Sequence, residues 1–176
     1  AGSAGRVTTG ATAVIGGTVT SASGATLPGH KVVLLERGPL RWRPVGHAVS
    51  DSAGHVAITT PPIDATSRFR LRTDHRAHSA PWRIVELPTL SASGQRSGPT
   101  LVVSATTSGA RPGDKVVLLR REGGRLVKLR HARLGAGGAA TFSVRARKGA
   151  TTYVVRLVAT RKHGPASATL AVPRSG

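Results

Sequence analysis

Two imidazoles and a carboxylate fall within five residues in Asp74-His75-Arg76-Ala77-His78, a spacing that lets one loop offer a divalent cation three ligands. Arg72, Arg76 and Arg83 flank those ligands and repel a cation, so the stretch reads as an exposed polar loop, and neither a metal site nor a cofactor is expected. The seven acids, Glu36, Asp51, Asp64, Asp74, Glu86, Asp114 and Glu122, are scattered among turns and strand ends, with no pair spaced for general acid–base work. No Gly-x-Ser-x-Gly elbow, phosphate-cradling loop or zinc-protease helix is written in the chain, and no cysteine supplies a thiol, so catalysis is not expected.

What the residues do offer is positive charge. The 176 residues hold 26 Lys plus Arg against seven acids, a formal charge of +19. Residues 1–88 carry ten of these cations and five acids, residues 89–176 sixteen and two, so the second half is the more basic. Arg outnumbers Lys by 21 to 5, which suits bidentate recognition of phosphate or carboxylate, although a high-GC genome gives the same bias.

In Arg68-Phe69-Arg70-Leu71-Arg72, period-two alternation sends Phe69 and Leu71 to a core and the three Arg to the opposite face. Arg120, Arg121, Arg125, Lys128, Arg130 and Arg133 are expected to gather on neighbouring strands, with Arg145 and Arg147 forming a shorter stripe around Ala146. Two readings stand side by side: a solvated face that blunts the sheet, or a site for a polyanion such as extracellular DNA, teichoic acid or an acidic glycan. Five aromatic residues are too few to stack many bases, so any nucleic-acid binding is backbone-directed, salt-dependent and not sequence-specific.

An internal repeat organises these residues. Pro28-Gly29-His30-Lys31-Val32-Val33-Leu34-Leu35 aligns with Pro112-Gly113-Asp114-Lys115-Val116-Val117-Leu118-Leu119 at an offset of 84, and His47-Ala48 and Gly54 align with His131-Ala132 and Gly138. Each copy has short β-branched runs between Gly, Pro and Asp turns and almost no helix signal, which predicts two tandem antiparallel β-sandwiches. The division expected is an N-terminal tail or assembly strand at 1–11, a sandwich at 12–90, a Ser/Gly linker at 91–98, a sandwich at 99–173 and a tail at 174–176.

Gly17 and Val19, then Lys31, Val33, Leu35 and Arg37, then Trp42 and Val45, then Asp51 and Gly54, with Ala150-Thr151-Thr152-Tyr153 in copy two, carry a resemblance. Over residues 13–173 the chain resembles the immunoglobulin-like, or fibronectin-like, repeats of secreted and surface proteins of high-GC Gram-positive bacteria. The resemblance implies a β-sandwich fold, a place outside the cell and an adhesive, spacer or assembly role. The small residues at the N-terminus fit a chain trimmed of a secretory signal, and no apolar run approaches a membrane span.

Val32-Val33-Leu34-Leu35 and Val116-Val117-Leu118-Leu119 are apolar on both faces, where a strand with one wet face alternates. Either the chain covers the second face itself or another protomer does, and Val32, Leu34, Val116 and Leu118 are the contact candidates. Copy one also lacks a convincing first strand, because only Arg6-Val7-Thr8-Thr9 precedes Ala13, so an unpaired edge is expected there and Val7 joins the assembly candidates. The partners expected are a second copy or another extracellular protein. Trp42 and Trp82 suit either core packing or a sugar-stacking surface.

Overall fold

Alternation decides the architecture. In the computed structural model, which describes residues 5–174, the chain is all-β and divides after Glu86 into two compact units, each an immunoglobulin-like sandwich. Expectations for residues 1–4, 175 and 176 lie outside the described residues.

The first unit runs β1 (Gly5–Thr8), β2 (Val14–Thr18), β3 (Lys31–Arg37), β4 (Trp42–Val49), β5 (His55–Thr59), β6 (Ser67–Thr73) and β7 (Trp82–Leu87). One sheet has the order β1-β7-β6-β3-β4, and β2 pairs with β5 in a second. Ile15, Val32, Leu34, Val56, Ile58, Phe69, Leu71 and Ile84 interdigitate between them. The second unit runs β8 (Thr89–Ser97), β9 (Thr100–Ser108), β10 (Lys115–Glu122), β11 (Arg125–Arg133), β12 (Ala139–Arg145), β13 (Thr151–Leu157) and β14 (Ala166–Val172). Its sheets are β11-β10-β13-β14 and β12-β9-β8, closed over Leu101, Val103, Val116, Leu118, Phe142, Tyr153, Val155 and Leu157.

The repeat holds in detail. Register slips between Leu34 and Leu35 on β3 and between Leu118 and Leu119 on β10, leaving Val45 and Leu129 as the extra residues of the partner strands, 84 apart. Both side chains pack against their cores, so the bulge adds an inward residue at the same place in each unit.

Gly54 (φ 77°) and Gly138 (φ 69°) close the turns before β5 and β12 in the left-handed region. A Cβ on Gly138 would lie 2.8 Å from the Thr107 carbonyl oxygen, and one on Gly54 3.0 Å from that of Val19, so backbone crowding adds to the conformational demand.

Residues 91–98, expected as a linker, instead form most of β8 and the start of its turn into β9. Ser91, Ser93 and Gly94 look flexible by composition, yet every other residue of the segment faces a core: Leu90 and Ala92 pack against it, and Gly94 leaves room for Leu170. The N-terminal segment likewise contains β1, hydrogen-bonded to β7.

Gly138→Ala is expected to destabilise the second unit by about 1–2 kcal/mol through a strained φ and the Thr107 clash. Urea unfolding measures this; an unchanged midpoint would contradict the turn geometry.

Candidate functional site

The two units differ most where β8 stands. In the second unit β8 pairs with β9 along its full length; in the first unit β2, the counterpart of β9, pairs only with β5. The segment 84 residues before β8 is β1, and it goes to the opposite sheet, beside β7. Among the described residues the outer edge of β2 therefore has no strand beside it; the first strand expected to be lacking does form, as β1, but it leaves this edge open by joining the other sheet.

Two cavities of about 310 and 300 Å³ run along this edge. Gly17, Val19, Leu71 and Trp82 line the first, and Val7, Val14, Ile15, Trp82 and Ile84 the second. Trp82 stands in both and packs on the core, whereas its repeat equivalent Ala166 is small and the strand β8 fills the space. Trp82 is half-buried, with part of the indole packed on the core. Val14 is left 69% exposed.

The expected contact residues of β3 and β10 do not lie on the surface. Val32, Leu34, Val116 and Leu118 are at most 1% exposed, because they form the inward face of β3 and β10, and they are not available to another protomer. Val7 is half-buried against the first core. On the second face of the runs Leu35 is buried (3% exposed) in register between Pro44 and Arg70, while Val33, Val117 and Leu119 are half-buried.

Arg68, Arg70 and Arg72 emerge on one face of β6, with Phe69 and Leu71 in the core, as the alternation predicts. Arg70 rests its guanidinium carbon 4.4 Å from the Trp42 ring centroid, and Arg37 approaches the same ring at 5.8 Å. Trp42 thus sits half-buried on the outer face under two Arg, outside the core cluster where packing would have put it.

The cations of the second copy lie on neighbouring strands as expected, since Arg120 and Arg121 belong to β10 and Arg125, Lys128, Arg130 and Arg133 to its partner β11, but they do not share one face. Arg120 and Arg147 converge on Glu122 across a cleft of about 850 Å³, with Arg120 Nε 2.6 Å from the carboxylate. Arg121 and Lys128 lie on the outer face of the four-stranded sheet; Arg145 belongs to the other sheet, in register with Thr100. Arg125 and Arg130 are exposed on β11, and Arg133 donates to the Gly113 carbonyl at 2.8 Å. Period two divides the β10–β11 cations between the two faces of that hairpin, and only Arg145 comes from the other sheet.

The loop chemistry is also rearranged. Asp74 meets His75 and a residue not anticipated, His30, which donates from Nδ1 at 3.4 Å, while His78 lies outside the group. The ligand atoms of His30, Asp74 and His75 lie within 4.8 Å of one another. Lys31, Arg72 and Arg76 line the cavity beside Asp74, which disfavours a divalent cation.

The second unit explains the pair. His30 is replaced there by Asp114, and the loop before the last strand supplies His163, whose Nε2 lies 2.8 Å from Asp114 Oδ2 and whose Nδ1 lies 2.7 Å from the Gly164 carbonyl. The same two segments are tied by an Asp–His contact with the residues exchanged, so the contact is a tether. The exchange is visible in the repeat alignment at positions 30 and 114, although the loop partners are not.

Desolvation pushes the Asp74 carboxyl up, but hydrogen bonds from His30 and the His75 backbone N–H and the charges of both imidazoles outweigh it and hold the group below 3.8. Desolvation, with the charges of Arg70 and Arg72, holds His78 below 6.5.

No protein-family model matches the chain, and no curated protein sequence matches it. Solved structures similar to it include the tetra-tandem repeat in the extending region of a large adhesion protein, at 17% identity and a TM-score of 0.43 over 98% of this chain and 50% of that one. Others are the BSP domain of a biofilm-associated protein (16%, 0.33, covering 98% and 29%) and the D0-D1 domain of intimin (9%, 0.36, covering 94% and 93%). The chain spans half the length of the first of these and under a third of the second. The fold assignment rests on the strand order and register described above.

Both shifted groups bind protons less readily in the folded than in the unfolded chain, so stability falls with acidification. The His78 contribution is complete above pH 6.5 and is lost as pH drops through its lower folded value; that of Asp74 is complete above 3.8 and is lost below it. Urea midpoints of His78→Gln, measured across this range, should lose the upper step only. A His78→Gln profile that runs parallel to wild type through this range contradicts the assignment.

Proposed function

We propose that the chain is a noncatalytic structural or adhesive protein working outside the cell, and that its copies join along the open edge of β2. The observation that carries this reading is the two-stranded β2–β5 sheet, which among the described residues lacks the strand that completes the corresponding sheet of the second unit. An unpaired edge is a row of backbone donors and acceptors ready to extend a sheet, and strand addition satisfies them with main-chain hydrogen bonds.

The occupant that fits is an extended strand of a second copy. Val7 to Gly29 is the longest run of the chain without a charged residue or His, and β2 lies within it. Two chains of formal charge +19 repel one another over most of their surfaces, and along β2 that repulsion is least. Edges are ordinarily blunted by charge or Pro. Among the described edge strands only β2 and β14 have neither these nor His, and β14 has β8 packed alongside it. Pairing of β2 with β2 closes on a two-fold axis; a strand taken from elsewhere in the second copy leaves an edge free and grows a filament.

A noncatalytic role is supported by six of the seven carboxylates, which are engaged by neighbouring groups. Glu36 accepts from Ser67, Asp51 caps its own turn, Glu86 accepts from Thr9, and Asp74, Asp114 and Glu122 hold His or Arg partners. No helix among the described residues is long and apolar enough to cross a membrane.

Light scattering on size-separated protein at low and high salt tests the assembly. Dimers or larger species that persist in high salt are expected, and Val14→Lys, which charges the exposed edge, should return them to monomer without lowering thermal stability. A wild-type monomer at high protein concentration in both salts would overturn the reading.

A further inference from the structure

We infer that the outer face of the β7-β6-β3-β4 sheet binds an extended phosphodiester polymer, its backbone laid along β6. This inference stands apart from the assembly reading and uses a different surface. Lys31, Arg37, Arg68, Arg70, Arg72 and Arg83 share that face by register. The two carboxylates on these strands are turned away from it: Glu36 pairs in register with the core residue Phe69, and Glu86 is buried.

Arg68 stands directly opposite Arg83, an arrangement that like charges disfavour unless an anion lies between them. Arg37 and Arg70 converge on the single indole of Trp42, and Arg70 Nε is buried without a hydrogen-bond partner. Concentrated, uncompensated charge of this kind costs stability in the free protein, and a bound polyanion relieves it.

The repeat provides an internal control. At the positions of Arg68, Arg70 and Arg72 the strand β13 carries Thr152, Val154 and Arg156, on the same backbone framework. The fold does not require the first two Arg. They recur at every second residue, ~6.7 Å apart along a strand, comparable to the spacing of successive phosphates in an extended phosphodiester chain. Past the end of β6 the row opens into a cavity of about 570 Å³ lined by Lys31, Arg72, Arg76 and His78, with the Asp74 carboxylate already held by His30 and His75. Trp42 has Arg stacked upon it and offers no free platform to a base, so recognition is of the backbone.

Nucleic acid and polymeric glycerol phosphate share this chemistry. The test is fluorescence anisotropy with a short labelled single-stranded DNA of mixed sequence, across a salt series, with glycerol-phosphate polymer as competitor. Arg68→Thr with Arg70→Val installs the residues of the second unit, and Arg121→Ser with Arg145→Ser removes the same charge from the other unit. The first variant should bind about tenfold more weakly and lose ~1.4 from the slope of log affinity against log salt, at ~0.7 per phosphate contact; the second should change little. The competitor should displace DNA at equal phosphate concentration. Equal weakening of both variants, which marks a diffuse effect of net charge, would overturn the inference, and so would no weakening of the first or binding of DNA that the competitor cannot displace.

Discussion

A β-strand cannot leave its backbone polar groups without partners, and the consequences of that rule separate the two halves of this chain. Both units fold from one repeated pattern with the same bulge, the same turn glycines and the same strand succession. In one, the first strand completes the smaller sheet. In the other, the equivalent segment crosses to the larger sheet, and β2 is left with an edge that solvent or another chain must satisfy.

The side chains around that edge have changed with it. Trp82 occupies space that β8 fills beside Ala166, so the first unit keeps its core covered without the missing strand, yet cavities remain on either side of the indole. Charge follows the opposite logic. A chain of +19 must keep nearly all its cations outside, and the alternation of β6 places three Arg on one face while Phe69 and Leu71 anchor the core. The uncharged β2 edge and the cationic β6 face thus lie in one unit but on different sheets.

Much of this was legible from the residues. The 84-residue repeat and period-two patterns give the fold class, and turn residues closely flank β3, β4, β6 and β7. An open edge in the first unit was expected from a missing strand, whereas it arises because β1 forms and joins the other sheet. Composition misled at residues 91–98, where Ser and Gly suggest a linker but alternation of Leu90 and Ala92 supports a strand. The apolar runs were assigned to the wrong face, since the same parity that aligns Val32 with Leu34 also points them inward. The pairing of His30 with Asp74, the Arg stack on Trp42 and the neutralisation of Arg120 by Glu122 depend on contacts between segments distant in sequence or on the ends of hairpins, which linear spacing does not encode.

Hydrogen exchange at the amides of Val14–Thr18, followed as a function of protein concentration, tests the central claim most directly. The account predicts that the outward-facing amides of β2 exchange quickly in dilute protein, far faster than the β8-paired amides of β9, and become protected as concentration rises. Rapid exchange at every concentration, or protection equal to that of β9 already in dilute solution, would contradict it.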